Sequence, residues 1–200
     1  MNHAGIIGSD VANGTGVRVS LFVSGCTHHC KGCFNPGTWD FAAGDPFTSA
    51  TEDFLLDEIA KPWIDGLTLL GGEPMEPENQ RALMPFLRRF RERFGTSRNI
   101  WCYTGCVLEK DLLPPADGAK PSRWRTEVTD EMLETIDVLV DGPFVESLKD
   151  VSLKFRGSSN QRILDVRRSL SELRPVWTID PEWIEGDPVA DPSRARHAGS

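Results

Sequence analysis

No stretch of the chain stays apolar for the roughly 18–20 residues that a bilayer-spanning helix needs. The opening Met1-Asn2-His3-Ala4-Gly5-Ile6-Ile7 lacks the basic and long apolar regions of a secretory signal. A soluble, cytoplasmic protein with no membrane partner is the expectation. Basic residues are outnumbered, 22 Lys and Arg against 30 Asp and Glu, for a formal charge of -8. A protein that grips phosphate backbones normally needs a basic face, so no nucleic-acid partner is expected. Cysteine is scarce, five among 200 residues, and the odd number leaves at least one thiol unpaired. Such a count does not suit a disulfide scaffold. No obvious general acid–base pair stands out, and there is no internal repeat.

The few cysteines are clustered. Cys26, Cys30 and Cys33 lie within eight residues, and Cys102 and Cys106 within five. Without an export signal, that grouping points to metal or redox chemistry.

The pattern along the chain alternates strand and helix. Residues 17–23 are β-branched and apolar, suit a buried strand, and run directly into Ser24-Gly25-Cys26. Ser49 and Glu52 have capping-box spacing ahead of an apolar-periodic segment. A short strand over 67–70 stops at Gly71-Gly72. Leu83, Leu87, Phe90 and Phe94 then recur at helical spacing, with Pro85 inside the stretch as a start or kink and Arg88, Arg89, Arg91 and Arg93 as a solvated face. Residues 99–103 read as a strand, 129–135 as a short helix, 136–140 as a strand and 162–166 as a weaker one. This alternation predicts an α/β fold, a mostly parallel sheet with flanking helices. Ligands of parallel sheets sit beyond the C-terminal strand ends. The cysteine loop, the Gly71-Gly72 turn and Tyr103-Thr104-Gly105 all fall there, which predicts one site. Residues 1–166 are read as the working domain and 167–200 as an extension. Its last fifteen or so residues are expected to be disordered, with Trp177 and Trp183 docking the part before them.

Cys26-Thr27-His28-His29-Cys30-Lys31-Gly32-Cys33 has the spacing C-x3-C-x2-C. Three thiolates on one tight loop converge on a soft metal centre. The spacing favours an iron–sulfur cube with one iron lacking a protein ligand. Zinc with His28 or His29 as fourth ligand stays open, though all four ligands would then come from eight consecutive residues. Plain buried or redox thiols are the third reading.

The same loop resembles the cluster motif of the radical S-adenosylmethionine superfamily. The run from Asn13-Gly14-Thr15-Gly16-Val17-Arg18 through Cys26 to Phe34-Asn35 is similar to one branch, the anaerobic ribonucleoside-triphosphate reductase activating proteins. So are Leu70-Gly71-Gly72-Glu73-Pro74, Trp101-x-Tyr103-Thr104-Gly105, Asp141-Gly142-Pro143-Phe144 and Arg156-Gly157-Ser158-Ser159-Asn160-Gln161. Many superfamily members carry an aromatic before the third cysteine; here Gly32 precedes Cys33 and Phe34 follows, as in this branch. Neither the segment beyond about 167 nor Cys102 and Cys106 map onto the pattern.

The resemblance implies a partial (βα) barrel, a 4Fe-4S cluster held by Cys26, Cys30 and Cys33, and S-adenosylmethionine as second cofactor. It implies reductive cleavage to a 5′-deoxyadenosyl radical, which takes a hydrogen atom from a glycine of the partner reductase. The low-potential electron donor would be a flavodoxin or ferredoxin. Gly71 and Gly72 are expected beside the methionine amine, Glu73 as its orienting group or as a solvated turn acid, and Gly32, Cys33 and Phe34 on the adenine side. Arg156 to Gln161 is expected to shape the open side of the site. No catalytic side chain is expected, because the cofactors carry the chemistry. Cys102 and Cys106 read as small hydrophobes at a strand end, and Asn13 to Gly16 lacks the ending of a phosphate loop. The competing functions are an activase of another glycyl radical enzyme, such as pyruvate formate-lyase, and a zinc-binding interaction module without activity.

Overall fold

The structure is a computed structural model and describes residues 1–115 and 119–178. Its strands are β1 (Asn2–Asp10), β2 (Arg18–Val23), β3 (Asp45–Pro46), β4 (Gly66–Gly71), β5 (Asn99–Tyr103), β6 (Val138–Asp141) and β7 (Arg162–Asp165). They form one open sheet in the order β3-β1-β2-β4-β5-β6-β7. The centre, β2-β4-β5-β6, is parallel. Both flanks are antiparallel: β1 pairs with β2 and β3, and β7 with β6. The sheet is therefore mixed, which corrects the expectation of a mostly parallel one. The causes are a strand at the N-terminus and the irregular return from β6 to β7, which has no crossover helix.

The helices are α1 (Ser49–Ile59), α2 (Pro77–Phe94), α3 (Thr129–Thr135) and α4 (Val166–Glu172). The strand register explains where the first three pack. Leu21, Leu69, Cys102, Leu139 and Leu164 stand side by side across five strands. That row shares one apolar cluster with Leu55 and Ile59 of α1, Leu83, Phe86, Leu87 and Phe90 of α2, and Met132 and Leu133 of α3. Each fully buried side chain of this size stabilises by about 1.5–3 kcal/mol. The alternate residues point the other way. There Trp101, Val138, Val140 and Ile163 make a second, smaller cluster with Tyr103 and Phe155.

Two helix details differ from expectation. The cap of α1 is Thr48, whose hydroxyl accepts from Thr51 N while Thr51 Oγ1 accepts from Thr48 N, one residue ahead of the Ser49 and Glu52 pairing. α2 starts at Pro77 and continues through Pro85. An interior proline costs about 3 kcal/mol, and the four α2 side chains buried against the sheet outweigh it. The arginines of α2 are not a purely solvated face: Arg88 binds Glu131, Arg89 binds Glu52 and Asp53, Arg93 binds Asp57, and Arg91 binds Asp137.

Arg18 lies fully buried on the face away from the helices, over the Trp101 ring. Its guanidinium donates to Thr68 Oγ1 and to the carbonyls of Thr15, Leu67 and Asn99. Burial lowers its pKa to about 10. The Asn13 to Gly16 segment thus packs on a buried cation, in keeping with its lack of a phosphate-loop ending. At the other end of the chain, α4 begins at residue 166, and Thr178 N donates to Ile163 O. Trp177 bridges to Leu164 and packs on the core. Trp183 and the final fifteen residues lie outside the described residues.

Candidate metal centre and ligand cavity

β2 hands the chain to the cysteine loop through Gly25, whose φ of 95° is in the left-handed region. A Cβ there would stand 2.2 Å from the Phe41 ring, so glycine is required twice over. Gly25 N donates to Thr38 O and Cys26 N to Trp39 O, which anchors the loop to the segment after it. Within the loop His29 (φ 48°) and Gly32 (φ 73°) are also left-handed. Such turns direct backbone N–H groups inward, the arrangement that suits bound anions and iron–sulfur centres.

Cys26, Cys30 and Cys33 are free thiols and line one cavity of about 150 Å³. Backbone N–H groups are aimed at the sulfurs. Asn35 N donates to Cys33 Sγ at 3.4 Å. Burial pushes the Cys26 thiol up to about 11, opposed by N–H donation from His28 and His29. Burial likewise raises Cys30 against donation from Phe144. Hydrogen bonds to sulfur are among the levers that tune a cluster.

One zinc, with bonds of about 2.3 Å to sulfur, draws its ligands close together. Among the described residues, a set close enough for a single ion is His28, Glu73 and Cys106, within 4.8 Å of one another. Cys26, Cys30 and Cys33 line the cavity beside it. His28 Nε2 lies 2.9 Å from Glu73 Oε2, and the His29 ring rests on Trp39 with 4.7 Å between centroids.

Gly71 and Gly72 border the same cavity, at the end of β4. Gly71 has φ 106°, and a Cβ on Gly72 would meet Gly25 O at 2.5 Å and Thr38 O at 3.0 Å. Gly72 is thus demanded by contact of the β4 end with the base of the cysteine loop, and Gly71 by its φ and by the Phe22 and Val23 backbone of β2, 2.7–2.8 Å from where its Cβ would stand. Glu73 is 1% exposed, which excludes a solvated turn acid. Its Oε1 accepts from Met75 N and Thr104 Oγ1, and its Oε2 from Gly105 N and His28 Nε2. Burial opposes the charged form of His28, but the Glu73 hydrogen bond prevails and raises its pKa.

A second cavity of about 340 Å³ adjoins the first and shares Asn35, Tyr103, Phe144 and Gln161 with it. Arg156, Gly157 and Gln161 line it, so the segment expected on the open side is there. Gln161 shapes that segment by accepting from Gly157 N and Ser158 N and donating to Gly142 O. Phe155, at φ 55°, contributes to the lining. Phe34 is 59% exposed, edge-on to Phe144 at 5.0 Å, with Lys149 over its ring. Gly32 faces away from this cavity, toward Glu146.

Several site residues were not singled out from sequence. The sequence brings Thr104 and Gly105 to the site as a turn without assigning them a partner, and offers His28 as a loop residue or a zinc ligand rather than as the partner of Glu73. Trp124 stacks on His28 at 4.4 Å, and Arg123 donates to Thr27 Oγ1. Cys102 and Cys106 are fully buried, as small hydrophobes would be, with Cys106 Sγ 3.9 Å from His28 Nε2.

Residues 12–164 match the family described as a 4Fe-4S single cluster domain. A protein of Haemophilus influenzae is 41% identical over 165 residues, 82% of this chain and 97% of its own length. One from Pasteurella multocida is 39% identical over 165 residues, 82% of this chain and 96% of its length. One from Escherichia coli is 37% identical over 169 residues, 84% of this chain and the whole of its own. All three carry the name anaerobic ribonucleoside-triphosphate reductase-activating protein. Among the described residues, no helix is long and apolar enough to cross a membrane.

Proposed function

Because the chain belongs to the 4Fe-4S single cluster domain family and to the anaerobic ribonucleoside-triphosphate reductase-activating proteins, we propose that it activates such a reductase by generating a glycyl radical on it. The observation that carries the chemical reading is the set of three free thiols on one loop, lining one cavity with the glycine turn of β4. A 4Fe-4S cluster held there would supply the electron for reductive cleavage of S-adenosylmethionine to methionine and a 5′-deoxyadenosyl radical able to take hydrogen from the partner's glycine.

The chain's own residues bind, orient and exclude water. Cys26, Cys30 and Cys33 would hold the cluster, with room beside it for the amino and carboxylate groups of S-adenosylmethionine. Gly71 and Gly72 offer backbone at the cavity edge, held by Glu73 through its bonds to the β5 end. Cys33 and Phe34 border the adenine side, and Gly32 supplies the left-handed turn that leads into them. Phe34, Phe144 and Phe155 keep that side apolar, and the Arg156 to Gln161 segment frames the opening for the reductase. Helices on one face of a parallel centre suit the half-barrel reading. A flavodoxin or ferredoxin is the electron donor, in the cytoplasm.

Electron paramagnetic resonance on anaerobically reconstituted, reduced protein tests this. A 4Fe-4S signal that changes shape on adding S-adenosylmethionine is expected. A signal indifferent to it reduces the loop to an electron-transfer or structural site, and zinc without iron or sulfide overturns the reading altogether. Activation assays against anaerobic ribonucleotide reductase and pyruvate formate-lyase distinguish the target.

A further inference from the structure

His28 sits between Cys26 and Cys30, lines the same cavity as their thiols, and reaches across to the strand ends of the sheet. Its Nε2 lies 2.9 Å from Glu73 Oε2. One ring face is stacked on Trp124, 4.4 Å between centroids and 18° between planes. The side chain is 16% exposed. A Cβ on Gly105 would stand 2.7 Å from the imidazole, so the absence of a side chain there makes room for the ring. Three elements therefore converge on one imidazole: the cysteine loop, the β4 end through Glu73, and the β5 end through Gly105.

Glu73 is the hub of that convergence. Its four donors come from Met75, Thr104, Gly105 and His28, and the last is the one side-chain donor from the cysteine loop. The neighbouring Thr27 is tied separately, its N and Oγ1 donating to Glu76 Oε1 and its Oγ1 accepting from Arg123. The His28, Glu73 and Cys106 atoms are close enough for an ion, but both Glu73 oxygens are already taken by hydrogen bonds. The arrangement reads as a strut rather than a metal site.

We propose that His28 is a positioning residue that sets the separation between the thiol loop and the Gly71-Gly72 edge, and so determines how tightly S-adenosylmethionine is held without itself ligating iron. The inference rests on the radical S-adenosylmethionine reading. The base of the loop is held to the glycine turn by Glu73 N donating to Gly25 O and by the Asn79 amide donating to both Ser24 O and Glu73 O, and His28 adds the side-chain tie from the middle of the loop to Glu73.

The test compares wild type, His28→Ala and His28→Gln, all reconstituted anaerobically. Iron and sulfide per chain are measured first, then the S-adenosylmethionine titration of the reduced paramagnetic signal. The expected result is iron and sulfide equal to wild type in both variants. His28→Ala needs about tenfold more S-adenosylmethionine for half-conversion, equivalent to about 1.4 kcal/mol, and His28→Gln, which keeps an amide donor near Nε2, recovers most of it. An unchanged titration in His28→Ala overturns the proposal. Loss of iron in both variants also overturns it, since His28 would then be needed to hold the cluster itself. A wild-type signal that ignores S-adenosylmethionine fails the underlying reading instead, and is told apart because it appears before any variant is made.

Discussion

Arg162 forks its guanidinium onto the carboxylate of Asp141, its register partner across β6 and β7, at 2.8 Å and 2.5 Å. Asp141 is fully buried and also accepts from Leu108 N. Burial works against the Arg162 charge, but hydrogen bonds to Asp141 and Glu109 hold its pKa above the ordinary value. The antiparallel edge of the sheet is thus fixed by a charged pair beside the Gly142 turn. Arg162→Met should strand the Asp141 charge and cost about 3–5 kcal/mol in urea unfolding. Adding Asp141→Leu to it should cost less than the sum of the two single losses, and strict additivity would argue against the pairing.

Asp10 should govern part of the acid limb of stability. Burial raises its carboxyl, but hydrogen bonds from Ser20, Asn13 and Ala12 prevail, so its folded pKa lies below the ordinary 3.8. As pH falls below about 4 the unfolded chain takes up the proton first. The contribution is complete above the unfolded value and is lost as pH drops through the folded one. Asp10→Asn should lower the melting temperature at pH 7 and flatten its fall between pH 5 and 3. An unchanged slope in that window would show that Asp10 is not the group responsible.

Cys33→Ala removes one of three proposed ligands. Iron and sulfide per chain and cleavage of S-adenosylmethionine should fall together, by at least tenfold for cleavage. Cleavage retained at wild-type rate would mean that the ligand set is different.

Gly72→Val is expected to damage more than ligand binding. From sequence, a branched side chain at Gly72 blocks only the approach of S-adenosylmethionine. In the structure its Cβ meets Gly25 O at 2.5 Å, directly ahead of Cys26. The variant should therefore unfold at lower urea and reconstitute with less iron. Full iron with weakened S-adenosylmethionine binding would restore the simpler view.

How far these features were legible depends on how local their causes are. Leu67 to Leu70 and Ile100 to Tyr103 announce themselves because strands buried on both faces are nearly continuous apolar runs. β1 does not: Asn2 to Asp10 contains two glycines, polar ends, and two register shifts against β2. Its strand character comes from its neighbour across the sheet, and that one omission turned a mixed sheet into an expected parallel one. β7 was visible, but its direction depends on a return segment with no periodicity. In the site, the cysteine loop and Gly71-Gly72 are short spacings and could be read directly. The four donors on Glu73 include Thr104, Gly105 and His28, more than thirty residues away in sequence, which no spacing reveals.

The one-sided helix layer has a consequence for how this chain tolerates change. Along β2, Val19, Leu21 and Val23 serve the helix face while Arg18 and Ser20 serve the other, and β4 divides Leu67 and Leu69 from Thr68 in the same way. The two sets share a backbone and little else. Substitutions drawn one from each should have additive free energies, as expected for sites without common partners. A chemical-denaturation cycle on Leu69→Ala and Arg156→Ala checks this, with a coupling above about 0.5 kcal/mol counting against it. The helix side can then change in sequence while the opposite face, with Arg18, Thr68 and Trp101, answers to separate demands.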